Sequence, residues 1–391
     1  MSRSGSIYKR GRTWTIQVDV SPVGAKQRQV VKRGGYRTKR EAQDELTEIL
    51  SNVQRGSFVR PTPVTFGDYL VEWLATLAVA GRAETTIESY TRHVKVQVLT
   101  RPWLADIRLQ ALTAVDLDRL YVEMLASGRR DGKGGLKART VRYTHMVLHK
   151  ALGQAVRKGL LVRSPADLAT PPSHTAAKAP EMKTWTADEL RRFLASVAEH
   201  DPRGYPLWRL LAMTGLRRGE ALGLRWADVN LDAGRLSVRQ QITVVGHQPI
   251  VRGLKTGRSR RVIDLDPQTV AVLRRWRKEQ AEERLAIGPD YRGESGNGGL
   301  VFTTLEGDCV HPDAVTSAFG RRVARARVLA IRPHDLRHTH ASLLLAAGVP
   351  VKIVSERLGH ASVGFTLDVY AHVIPGQQAS AAAAFAALVD G

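Results

Sequence analysis

The sequence predicts a multidomain, mainly helical protein with small β-sheets, and three observations predict it. Strand-like alternation is confined to residues 13–35 and 235–265. Helical periodicity with capping signals fills most of the remainder. Two proline-bearing stretches, 57–64 and 169–183, punctuate the 391-residue chain. The expected order is an α+β N-terminal module (1–56), an all-helical domain (64–168), a mixed, mainly helical domain (180–376) and a C-terminal tail (377–391).

The first module is the most basic. Residues 1–40 hold eleven Lys or Arg and one acid, Asp19. TWTIQVDV (13–20) alternates as a strand does, and RQVVKRGG (28–35) reads as a second strand. Thr38 and Glu41 then have capping-box spacing before an acid-rich helix. A small sheet with cations on its strands suits a nucleic-acid backbone, with Arg10, Arg12, Arg28, Lys32, Arg33 and Arg37 as contacts. The plainer reading is a flexible basic arm.

Four or five helices are expected next. Thr65, Thr85 and Thr113 each precede a helical run as N-caps, and a long helix begins at Arg139 and stops at Gly159. Lys95, Arg139 and Arg142 are candidate phosphate contacts, solvated surface being the default for any one of them. In the last large domain, Thr186 and Glu189 form a capping box. RLSVRQQITVV (235–245), IVRGLK (250–255) and RRVIDL (260–265) read as three strands among helices. The Ala-rich tail reads as a packing helix that docks on a neighbouring protomer.

Charge narrows the function. Lys and Arg number 59 against 37 Asp and Glu, a net of +22. Solubility alone asks for less, so a polyanionic partner is expected. Cys309 is the sole cysteine, so no internal disulfide can form. The first residues have no apolar signal region, and no apolar run reaches the ~18 residues of a membrane span. A cytoplasmic protein with no membrane partner is expected.

Four segments carry chemistry. TGLRRGEALGL (214–224) sets Arg217 at a helix start with Glu220 three residues on. LKTGRSRRVIDL (254–265) puts Lys255 in a turn between strands. HDLRHTHASLLLAAG (334–348) places His334 and Arg337 on one helix face, with His338 and His340 nearby, an arrangement suited to an anion. ERLGHASVGFTLDVYAHV (356–373) ends one helix at His360 and carries Tyr370 ten residues on. Each alone is weak: an Arg–Glu pair is often a surface ion pair, a turn lysine is common, and most tyrosines are packing residues.

In this order, the segments resemble the tyrosine recombinase (phage integrase) family, whose pattern is Arg, Lys, His-x-x-Arg, His or Trp, then Tyr. The matching residues are Arg217, Lys255, His334, Arg337, His360 and Tyr370, with no departure, and the similarity is strongest over about 184–376. The helical region resembles the family's core-site binding domain, and the basic N-terminal module resembles its arm-site binding domain. The resemblance implies a site-specific DNA recombinase that integrates or excises a mobile element. It implies double-stranded DNA as substrate, a homo-tetramer on DNA, an excisionase-type directionality factor as accessory partner, and no metal, ATP or other cofactor.

The residue types suit that chemistry. Phosphoryl transfer passes through a phosphorane with added negative charge. Arg217 and Arg337 can grip its oxygens bidentately and stay charged. Tyr370 would attack, and its phenol, with an ordinary pKa near 10, needs help to ionise. His334 is suited to take or relay that proton, Lys255 to protonate the leaving 5′ oxygen, His360 to donate to the phosphate, and Glu220 to orient Arg217.

Three rivals exist. His334 and His338 have the i,i+4 spacing of zinc ligands, which would make a metal-dependent hydrolase. Residues 348–370 have the cadence of a helix-turn-helix, which would make a non-catalytic DNA binder. A type IB topoisomerase would share the chemistry but relax supercoils as a monomer.

Overall fold

The structure, a computed structural model, describes residues 5–21, 27–178, 182–254, 260–294, 299–360, 362–371 and 378–390. It divides into two units, Met1–Ala179 and Pro180–Gly391.

The first unit opens with an antiparallel sheet in the order β1 (Gly5–Arg10), β2 (Thr13–Asp19), β3 (Val30–Tyr36). Side chains alternate across a strand. Ile16 and Val18 of β2, with Val31 of β3, therefore share a face, and helix α1 (Lys39–Gln54) closes it with Ala42, Leu46, Ile49 and Val53. Tyr8, Arg10 and Lys32 alternate with that inward set and stand on the open face. Thr38 caps α1 by accepting from the Glu41 amide, and the Glu41 carboxylate accepts from the Arg37 amide. Strand β1 was not expected from the sequence: of its side chains only Ile7 packs on the core, so its alternation is faint.

Five helices follow: α2 (Phe66–Val79), α3 (Glu84–Gln97), α4 (Pro102–Ala105), α5 (Ala114–Ser127) and α6 (Ala138–Arg157). Phe66, Trp73, Leu117, Leu120, Leu148 and Leu152 belong to one core distinct from that of the sheet. Thr65 and Thr113 cap α2 and α5. Thr85 does not cap: α3 begins at Glu84 with Ala83 at the cap position and no side-chain cap bond, so Thr85 already lies in the first turn. The intervening segment 57–64 has no regular structure. Gln110 holds it, donating to the Arg60 carbonyl at 2.7 Å and accepting from the Thr62 amide at 3.2 Å.

The second unit runs α7 (Ala187–His200), α8 (Tyr205–Thr214), α9 (Arg218–Leu222), β4 (Val229–Asn230), β5 (Arg235–Val238), β6 (Gln240–Val245), β7 (Gln248–Gly253) and β8 (Arg261–Asp264). It continues with α10 (Pro267–Ile287), α11 (Pro312–Ala326), α12 (Pro333–Ala346), α13 (Val351–Leu358), α14 (Val363–Tyr370) and α15 (Gln378–Val389). The single strand expected over 235–245 is two. They part at Arg239, β5 pairing with β4 and β8, and β6 forming a hairpin with β7. Alternation reports a pleated strand and not its partner, so it hides a switch between sheets.

The main core of this unit gathers Trp185, Phe193, Trp208 and Phe319 with Leu222, Leu236 and Ile263. A smaller cluster of Ala341, Leu345, Val354, Leu358 and Tyr370 lies among α12, α13 and α14. Helix α9, at the end of which Arg217 sits, is pressed onto β6. A Cβ on Gly223 would lie 2.8 Å from Gln241 Cα, and one on Gly219 would overlap the Ile242 carbonyl. Gly223→Ala is therefore expected to push α9 off β6, costing about 1–3 kcal/mol. Thermal unfolding checks the stability.

Candidate active site

The site is built around the end of one short helix. The last carbonyls of a helix lack intrahelical partners and carry partial negative charge. At the end of α13, three successive carbonyls each accept from an arginine of a different element. Arg261 of β8 donates from Nε to Arg357 O at 2.8 Å. Arg337 of α12 donates to Leu358 O at 2.6 Å, and Arg217, the N-cap of α9, reaches Gly359 O at 3.5 Å. Arg337 also donates to Gly215 O at 2.9 Å, the end of α8, so it joins two helix C-termini. Both ends turn on glycines in the left-handed region, Gly215 (φ 65°) and Gly359 (φ 68°). A Cβ at Gly359 would meet the Arg261 guanidinium at 3.0 Å, so the turn must be bare for the arginine to approach.

Glu220 ties two of these arginines together. It is 1% exposed and accepts from Arg217 at 2.6 Å and from Arg261 at 2.8 and 3.2 Å. Burial alone would raise its pKa. The hydrogen bond and charge of Arg261, with the charge of Arg217, outweigh that and hold it below the ordinary carboxylate value. Arg217 and Arg261 thus share one carboxylate while Arg337 only feels its charge, so the three guanidiniums leave a surplus of two positive charges. Arg337 feels it: burial, then the neighbouring Arg217, pushes its pKa down to about 9.

Helix α12 aims the next group. Asp335, buried in its first turn, accepts from the Arg332 amide at 2.8 Å and from the Arg332 guanidinium at 2.9 and 3.1 Å. That anchors the helix start, so His334, Arg337 and His338 share one face at i, i+3 and i+4. Tyr370, the last residue of α14, is fully buried. Its Oη lies 2.6 Å from His338 Nδ1. Burial pushes the phenol up to about 12, against the pull of Arg337. His338 is pushed down to about 4, by burial and then by His334. His360 stacks on the Tyr370 ring, with centroids 6.5 Å apart and planes 10° apart. Its Nδ1 is 2.8 Å from the Thr366 hydroxyl, and burial, then Arg337 and Arg217, lowers its pKa to about 3. His334 is exposed, and its pKa is lowered by lost hydration and then by Arg337 and Arg217.

The structure thus brings Arg217, Glu220, His334, Arg337, His360 and Tyr370 to one locality. Lys255 lies outside the described residues. The phenol pairs with His338, not with His334. Arg261, His338 and Thr366 were not picked out as site residues by the sequence reading. His338 had been noted only as a neighbour, and Arg261 is one of three arginines in the stretch 258–261. Of the zinc-spaced pair, His338 bonds Tyr370 and His334 meets the His338 ring, and His340 is engaged elsewhere: it donates from Nδ1 to Ala212 O at 3.0 Å and accepts from Arg357 at 3.1 Å. The helix-turn-helix cadence over 348–370 does form as α13 and α14, but its turn and last residue build this site.

The other candidate cations scatter. Arg10, Arg12, Lys32, Arg37, Lys95 and Arg139 are exposed. Arg28 pairs with Asp19 at 2.8 Å, Arg33 faces α1 and pairs with Glu45, and Arg142 donates to Pro172 O at 2.5 Å and pairs with the His174 ring.

A surplus of guanidinium charge converging beside a buried tyrosine is the make-up of a phosphotransferase that works through tyrosine. The chain belongs to the phage integrase family, which matches residues 183–376, and an arm DNA-binding domain is matched over residues 6–53. It is a site-specific DNA recombinase, cutting and rejoining DNA. A tyrosine recombinase XerC-like protein of Caldanaerobacter subterraneus subsp. tengcongensis is 26% identical over 394 residues, 97% of this chain and 98% of the relative. An integrase of Streptomyces ambofaciens is 29% identical over 362 residues, 91% of this chain and 88% of the relative. Among solved structures, the Tn1549 transposon integrase in complex with a circular intermediate DNA shares the fold with a TM-score of 0.67 at 18% identity, covering 83% of this chain and 99% of that one. No helix among the described residues is long and apolar enough to cross a membrane.

Arg261→Met would leave Glu220 buried with only the half-exposed Arg217 beside it. Stranding a buried charge costs on the order of 3 kcal/mol. Denaturant unfolding is expected to show that loss, and Arg261→Met combined with Glu220→Met is expected to recover part of it.

Proposed function

We propose that Tyr370 is the nucleophile and that Arg217 and Arg337 bind the phosphate it attacks. The observation that carries this is the surplus of two positive charges among Arg217, Arg261, Arg337 and Glu220, beside a tyrosine whose hydroxyl is already hydrogen-bonded. A phosphodiester supplies one negative charge and its phosphorane two, so the cluster is better matched to the transition state than to the bound ground state.

Tyr370 Oη attacks phosphorus, the bond from phosphorus to O5′ breaks, and a 3′-phosphotyrosine forms. Lys255 protonates the departing 5′ oxygen. The Thr366 hydroxyl donates to His360 Nδ1, which leaves the proton on Nε2 to point at a phosphate oxygen. His334, neutral at pH 7, adds a further hydrogen bond at the same phosphate. Glu220 keeps the Arg217 side chain turned to the site. The ester bond energy is held in the phosphotyrosine until a second 5′ hydroxyl attacks it.

Each chain has one such tyrosine, and exchange between two duplexes cuts four strands, so four protomers assemble on DNA. The open sheet face with Tyr8, Arg10 and Lys32 is suited to arm sites, and Lys95 and Arg139 to the sites flanking the crossover. The relatives it resembles are bacterial, and bacterial DNA lies in the cytoplasm, which is the location this reading gives.

Tyr370→Phe is expected to bind a nicked suicide substrate normally and to give no covalent adduct on a denaturing gel. An adduct that persists would remove the assignment. Arg217→Lys loses the planar fork and is expected to slow single-turnover cleavage about 10²-fold at similar affinity. Deleting residues 1–56 is expected to weaken gel-shift binding to arm sites more than to the crossover site. Equal loss at both would refute the two-site reading.

A further inference from the structure

Two histidine rings pack against Tyr370, those of His338 and His360, and among the described residues only His338 hydrogen-bonds its hydroxyl. His360 offers its ring face and has Nδ1 occupied by Thr366. His334 meets the His338 ring edge-on, with centroids 5.1 Å apart, and lies one turn nearer the start of α12. From this geometry we propose that His338 is a catalytic residue: Nδ1 accepts the phenolic proton as Tyr370 attacks and returns it when the strand is rejoined. This rests on the reading of Tyr370 as the nucleophile.

The step balances. The bond from Oη to phosphorus forms as the bond from Oη to its proton breaks, and the proton passes to Nδ1. His338, with its other proton on Nε2, becomes an imidazolium. O5′ leaves with a proton from Lys255. In rejoining, the incoming 5′ hydroxyl gives its proton to Lys255 as its oxygen bonds to phosphorus, the bond from Oη to phosphorus breaks, and Nδ1 returns its proton to Oη.

Two features of the surroundings support the role. Burial keeps His338 neutral at rest, so Nδ1 has a free lone pair for the phenol. The buried Asp335 carboxylate on the same helix offsets part of the burial that lowers His338 to about 4, and the negative charge a phosphate brings into the site acts in the same direction. Asp335 is itself fixed by Arg332, so α12 delivers the acceptor in one position.

The test uses the full-length chain on nicked suicide substrates carrying oxygen or sulfur at the bridging 5′ position. Sulfur departs without a proton, so it relieves a defect in the acid and not one in the base. His338→Asn keeps an acceptor oxygen near the Nδ1 position but has no basicity. His338→Gln removes both from that position. Cleavage by each is expected to fall about 10²-fold on both substrates, at DNA affinity within about twofold of the parent, whereas Lys255→Ala recovers on sulfur. His338→Asn cleaving the sulfur substrate within about threefold of the parent would overturn the proposal, since His338 would then only hold the phenol or serve the leaving group. The Asn and Gln variants are both assayed, so a folding defect in one leaves the other to decide. An adduct formed by Tyr370→Phe would instead defeat the nucleophile assignment, a separate failure.

Discussion

Three guanidiniums on three consecutive carbonyls at the end of α13 are what the rest of the site depends on. Arginines repel one another, and burial makes that repulsion costly. Here the backbone does much of the compensating. The carbonyls of residues 357, 358 and 359 have no helical partner beyond the Gly359 turn, so they accept charge-assisted hydrogen bonds without adding a carboxylate. Dipoles neutralise less than a formal charge does. The cluster therefore stays fixed in place and still short of negative charge, which a phosphate can supply.

The same staple links four parts of the second unit. Arg217 brings α9, Arg261 brings β8, Arg337 brings α12 and, through Gly215, the end of α8. Glu220 closes the set from inside. The glycines are part of the device: a side chain at Gly359 would occupy the space of the Arg261 guanidinium, and one at Gly223 would meet the β6 backbone.

Much of this was legible in the sequence. Thr38, Thr65, Thr113 and Thr186 mark helix starts because a cap is a local interaction, complete within four residues. Arg217, Arg337, His360 and Tyr370 were legible by their order along the chain. What was hidden is non-local. Arg261 differs from its neighbour Arg260 only in what β8 places opposite it. His338 had two alternative partners by spacing, a metal or nothing, until α14 brought Tyr370 onto α12. The split of 235–245 between two sheets depends on the partner strands, and the absence of a cap at Thr85 depends on how the preceding turn feeds α3.

The seat of Tyr370 has one more consequence. Its packing belongs to the small cluster of Ala341, Leu345, Val354 and Leu358 and not to the large aromatic core around Trp208 and Phe319. The free energy of local opening falls with the amount of apolar contact that must be given up. Amide protons of α14 are then the ones to exchange with solvent through sub-global fluctuations, while those of α8 and α11 wait for global unfolding. The proposed nucleophile is mounted on the part of the unit that can let go and re-seat without dismantling the arginines proposed to receive the phosphate.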